Sequence, residues 1–141
     1  MTQTQSREGG RDSGDRTGDL RASPMMAHLM DALERGEDIG HYGRLTFAMV
    51  AQYFLDDEEL IRLLSKDSDV EDGEAKALVA EVRAHGYNPP KRDQILRWQQ
   101  EQEFPICPDP DDPSSCNVYS QLQFPHEVYD NIERFWQERA P

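Results

Sequence analysis

Lysine is nearly absent from this chain. Only Lys66, Lys76 and Lys91 occur, and with the arginines they bring the basic residues to 15 against 28 acidic ones, a formal net charge of −13. Nucleic acid repels such a chain, which disfavours nonspecific binding, so any contact with it must carry its own local positive charge. Few lysines beside many carboxylates suit a salt-rich cytoplasm; they suit equally an acidic protein encoded by a GC-rich genome. Cysteine is scarce as well: Cys107 and Cys116 are too few for a disulfide framework. No apolar run approaches the ~18 residues that a membrane span requires, and the N-terminal stretch has no apolar core of a secretory signal. A soluble, cytoplasmic protein with no membrane partner is expected.

The usual catalytic signatures are missing too. The sequence has no phosphate-binding Walker loop, no credible Ser–His–Asp or Cys–His arrangement and no HExxH helix. No pair of carboxylates stands in the apolar surroundings that raise a carboxyl pKa for acid–base work. The chain is therefore not expected to be an enzyme by itself. Alternation of apolar and polar residues never persists beyond about four positions, and no internal repeat is evident. Strands and repeat architectures are disfavoured, and a mainly α domain remains.

What is present is a series of amphipathic segments behind a polar tail. Apolar content is 36%, and the deficit sits in residues 1–22, which are too polar to offset the entropy of ordering. These are expected to form a disordered tail, with one compact domain of about five to six helices over 23–141. Ser23 caps a first helix, with Pro24 at its first position, running over Met25–Arg35 and stopped by Gly36. A second, over Tyr42–Phe54, is apolar nearly all round and reads as the central buried helix. Asp56 and Asp57 open a third, Glu58–Ser65. A fourth spans Asp72–His85, ending at Gly86. Tyr87-Asn88-Pro89-Pro90 is extended because each proline restricts the residue before it. A fifth covers Arg92–Gln102, and a last one follows Pro125 from His126 to Glu138.

Between the first two helices lies Ile39-Gly40-His41-Tyr42-Gly43-Arg44. It sets an imidazole and a guanidinium three residues apart at a helix start, where backbone N–H groups and the dipole favour an anion. Arginine presents a planar fork to phosphate oxygens, and histidine donates and partly charges beside an anion. Tyr42 is placed to stack on a base. A purely structural role is also open, with His41 capping and Arg44 bridging to Asp38 or Glu37. Lys91 and Arg92 after the Pro-Pro turn either extend a phosphate-binding patch or form a solvated first turn; Arg97 lies further along the same segment.

Taken in order, these features resemble a family. Pro24-Met25-Met26 with Leu29, Met30 and Leu33 comes first, then Ile39-Gly40-His41-Tyr42-Gly43-Arg44-Leu45. Tyr53-Phe54-Leu55, Asp56-Asp57-Glu58-Glu59-Leu60-Ile61 and Asp67-Ser68-Asp69 follow. Gly86-Tyr87-Asn88-Pro89-Pro90, Cys107, Cys116 and Phe124-Pro125 complete the set. Over about Ser23 to Pro125 the chain resembles the C-terminal domain of the archaeal and eukaryotic DNA primase large subunit. The resemblance implies a helical domain that binds primer–template nucleic acid or the initiating nucleotide. It would hold the 5′-triphosphate with His41 and Arg44 and assist primer initiation in trans for a separate primase-polymerase catalytic subunit. It also implies a [4Fe–4S] cluster on four cysteines, and here the chain departs from it. The first and second cluster positions fall on Met25 and Arg92; only Cys107 and Cys116 are kept. A thioether and a guanidinium are poor substitutes for thiolates, so the cluster is expected to be lost and no cofactor is expected. The alternative is a cluster or a zinc ion at Cys107 and Cys116 with further ligands, His85 and His126 among the candidates. The competing reading of the whole chain is an acidic interaction or regulatory module that kept the fold and lost both cluster and nucleic-acid binding.

Two remaining groups have plainer readings. Asp109, Asp111 and Asp112 lie among prolines without the pattern of a calcium loop, which makes a solvated loop. Trp98, Phe104, Tyr119, Phe135 and Trp136 fall at helical spacings, where aromatics are more often core than base-stacking platforms.

Overall fold

The structure, a computed structural model, describes residues 17–109 and 111–130. The described chain is mainly helical and contains no strand. Its helices are α1 (Thr17–Leu20), α2 (Pro24–Glu34), α3 (Gly40–Ala51), α4 (Asp57–Leu64), α5 (Glu74–His85), α6 (Arg92–Gln99) and α7 (Val118–Gln121). A 3-10 turn, Pro113–Cys116, precedes α7, and residues 126–130 are helical. The tail expected for 1–22 lies outside the described residues up to position 16. Within 17–22, Thr17–Leu20 form a helical turn and Leu20 is fully buried. One leucine at the edge of a polar stretch is enough to anchor that turn on the core. The aromatic half of the last expected helix, with Ile132, Phe135 and Trp136, lies outside the described residues.

Helix starts follow the caps. The Ser23 hydroxyl accepts from Met26 N–H at 3.2 Å, and the Asp56 carboxylate accepts from Glu59 N–H at 2.9 Å. Such a cap is worth about 1 kcal/mol. α5 ends on Gly86, whose φ of +60° places it in the left-handed region where glycine carries no steric penalty. α3 begins two residues earlier than its apolar pattern indicates and ends at Ala51, where Tyr53 and Phe54 turn the chain toward α4.

α3 is the central element and packs against α2, α4, α5 and α6. Phe47, Ala48, Val50 and Ala51 are fully buried on it. Deleting the Phe47 ring would forfeit several kilocalories per mole, as large-to-small core changes do. Arg83 of α5 locks the turn between α3 and α4. Its guanidinium donates to the carbonyls of Gln52 at 2.8 Å and Leu55 at 3.0 Å and pairs with Asp57. The 3-10 turn packs on both α2 and α6. The segments that open with Met25 and Arg92 therefore meet the turn that ends in Cys116.

Candidate functional site

The start of α3 is already full. Ile39 N–H donates to Asp67 Oδ2 at 2.9 Å, Gly40 N–H to Asp38 Oδ1 at 2.9 Å, and Tyr42 N–H to Gln102 Oε1 at 2.8 Å. The anion that this helix end attracts is supplied by the protein's own carboxylates. Arg44 joins them: Nη1 lies 3.2 Å from Asp38 Oδ1 and 3.2 Å from Asp67 Oδ2, and Nη2 lies 3.6 Å from Asp69 Oδ2. The Asp67 side chain is 0% exposed and its second oxygen accepts from Asp69 N–H at 2.7 Å. Arg44, expected beside His41 at a phosphate site, is part of an internal latch that includes the bridge to Asp38, and the N–H groups of Ile39, Gly40 and Tyr42 are bonded inside the chain.

Tyr42 is packed against a neighbour. Its ring lies flat against Trp98, centroids 5.5 Å apart at 14°, so one face is taken by a neighbour. His41 touches the edge of Tyr42 and is exposed. Gln102 holds this corner together: its amide also donates to the carbonyls of Ile39 at 2.9 Å and Phe104 at 3.0 Å. No local pattern marks Gln102 as a cap, because it reaches α3 from sixty residues away in the chain.

The predicted residues separate into neighbouring surfaces. His41 and Lys91 line one groove of about 690 Å³, walled by α3, α5, α6 and the extended segment before α6. That volume lies within the range of small-molecule sites. Leu45, Met49 and Leu78 form its apolar floor, Tyr87 and Trp98 bring aromatic rings, and Arg97 adds a third basic side chain. Glu81 and Asp93 also reach it. Arg44 lies instead in a smaller cavity of about 250 Å³ that it shares with His41, Glu74 and Glu81. Arg92 lines a third, of about 330 Å³, with Lys91, Asp93, Asn117 and Tyr119, and its Nε lies 3.6 Å from Asp93 Oδ1. The sequence grouped Arg44 and Arg92 with His41. The fold puts Arg97 there, on α6, which packs against α3.

Cys107 and Cys116 are both fully buried and form no disulfide. Cys107 Sγ lies 3.1 Å from Ser115 Oγ, and Cys107 N–H donates to Gln99 Oε1 at 2.8 Å. Burial, then the hydrogen bond and charge of Cys107, push the Cys116 thiol up to about 12, against a smaller pull from the Arg92 guanidinium. Met25 is fully buried, and the donor set of two thiols, a thioether and a guanidinium does not fit a [4Fe–4S] cluster. Among the described residues no group of three His, Cys, Asp or Glu side chains is placed to hold a metal ion. His85 instead stacks on Tyr87 and His126 faces Asp130 at 3.4 Å. Asp109 and Asp112 accept from Asp111 N–H and Ser114 N–H, as turn-forming carboxylates do. Phe104 stacks on His28, 5.1 Å between centroids.

Tyr119 gives the region a pH dependence. Its hydroxyl donates to the Pro89 carbonyl, and burial, followed by the charges of Tyr53 and Tyr129, raises its pKa. The folded state thus keeps a proton that the unfolded chain releases above about pH 10. Stability is complete below that value and falls as pH rises through it, by up to about 1.4 kcal/mol per pH unit for this group. Tyr119→Phe is expected to lose about 1 kcal/mol at pH 7, from the hydrogen bond, and to show a shallower decline in urea midpoint between pH 9 and 11.

Among the described residues no helix is long and apolar enough to cross a membrane. No protein-family model, no curated protein and no solved structure matches the chain.

Proposed function

We propose that this chain is a noncatalytic accessory module that binds a nucleic-acid 5′ end or an initiating nucleotide and serves a primase-polymerase catalytic chain in trans. One observation carries the binding reading: His41, Lys91 and Arg97 line a single groove that also exposes Tyr87 and Trp98. In a chain of net charge −13, Lys91 and Arg97 offset the two carboxylates of the groove, Glu81 and Asp93, so the groove repels an anion less than the surface at large. The ligand site in this reading is the groove, which His41 lines from the start of α3. The primase partner and the role in initiation rest on the likeness in the order of sequence features.

The test is fluorescence anisotropy of a short primer–template junction carrying a 5′-triphosphate or a 5′-hydroxyl, at several salt concentrations. The triphosphate is expected to bind more tightly, and the preference should vanish in Lys91→Ala/Arg97→Ala while Arg62→Ala, remote from the groove, leaves it intact. Equal binding of both junctions, or of wild type and double variant, removes the reading. A second reading, an acidic protein-interaction module, is favoured by one observation: Arg44 is enclosed by Asp38, Asp67 and Asp69. Absence of junction binding by the folded protein selects it.

A further inference from the structure

The two aromatic rings of the groove are each backed by a second ring. Trp98 lies on Tyr42, and Tyr87 lies on His85 with centroids 5.0 Å apart and planes at 4°. Tyr87 is 36% exposed, an unusual degree for a large ring whose mainchain is so firmly held. Its carbonyl accepts from the Tyr53 hydroxyl at 2.9 Å and from Gln52 Nε2 at 3.1 Å. Asn88-Pro89-Pro90 follow, and each proline fixes its own φ. The Pro89 carbonyl is held in turn by Tyr119. His85 is positioned by its Nδ1 contact with the Glu81 carbonyl at 2.9 Å. Tyr87 is therefore a preorganised ring presented to the groove, and its ordering cost is met on folding instead of on binding.

The groove carries both signs of charge. Lys91 and Arg97 stand on the α6 side with Asp93 between them in the chain, His41 at the start of α3, and Glu81 on α5. Lys91 and Arg97 are the groups that attract a phosphate, while Glu81 and Asp93 accept N–H or O–H donors. The geometry points to a nucleoside phosphate as the ligand, with its base stacked on Tyr87 at the α5 side and its phosphates at Lys91 and Arg97. This rests on the nucleotide-binding reading above and adds to it Tyr87 as the residue that stacks on the base. An aromatic face accepts any base, so stacking supplies affinity without sequence preference.

The experiment titrates the full chain with inorganic triphosphate, with ATP and with a short single strand bearing a 5′-triphosphate, by calorimetry at low salt. ATP is expected to bind about 5–150-fold more tightly than inorganic triphosphate, the range that one stacked base supplies. Tyr87→Phe keeps that ratio and Tyr87→Ala abolishes it, with circular dichroism showing both folded. A strand that binds more tightly than ATP identifies a strand end as the occupant; equal affinity identifies the free nucleotide, and either supports base stacking. Equal binding of ATP and inorganic triphosphate overturns the stacking while leaving the phosphate reading intact. An unchanged ratio in Tyr87→Ala overturns the assignment of Tyr87. Failure of all three ligands overturns this inference together with the reading beneath it.

Discussion

Asp67→Ala is expected to destabilise the protein by about 3–5 kcal/mol, the cost of breaking a buried ion pair from one side. The Asp67 side chain is 0% exposed. One oxygen takes Ile39 N–H and Arg44 Nη1, and the other takes Asp69 N–H. Alanine leaves two backbone donors unpaired in a place water reaches poorly, and it leaves the Arg44 guanidinium, itself only 15% exposed, with only the half-exposed Asp38 and the more distant Asp69. Asp38→Ala is the control: half-exposed, it should cost no more than about 1 kcal/mol. Asp67→Asn keeps an acceptor but loses the charge and should fall between the two. Urea denaturation with a common m-value decides it. If Asp67→Ala and Asp38→Ala prove equal, the latch does not hold the helix start.

This latch also explains what a linear reading misses. The helices were legible because each carries its own evidence: Ser23 and Asp56 as caps, Gly86 as a stop, and apolar residues at helical spacing. The cationic helix start was legible too, and so was the nearby partner Asp38, but the distant partners were not. Asp67 lies 28 residues from Ile39, and Gln102 lies 60 from Tyr42. A sequence shows that a guanidinium and bare N–H groups want an anion; it does not show that the chain returns to provide one. Arg97 is the reverse case. As an isolated helical arginine it looks like solvated surface, and only the packing of α6 against α3 puts it across from His41. Short elements were lost for a different reason. The 3-10 turn at Pro113–Cys116 and the four-residue α7 are too brief for any periodicity to register. Leu20 was lost because burial of a single side chain has no pattern.

Gly40→Ala should be the second severe substitution, at about 3 kcal/mol, because two costs coincide. Gly40 has φ +81°, and an L-residue held there costs about 1–2 kcal/mol. A Cβ built on it also falls 2.5 Å from the amide carbon of Gln102. A flexible glutamine elsewhere would swing aside. This one bonds Tyr42 N–H, the Ile39 carbonyl and the Phe104 carbonyl at once, so displacing it sacrifices contacts worth about 1 kcal/mol each. Gln102→Ala alone should cost about 2–3 kcal/mol by the same count. In the double variant the collision is gone and the amide bonds are lost only once. The two effects should therefore fall short of additivity by about 1–2 kcal/mol, as expected for groups in contact. Additive costs would mean that Gly40 is required for its backbone conformation alone. Subadditivity would show that Gln102, a residue distant in sequence, closes the start of α3.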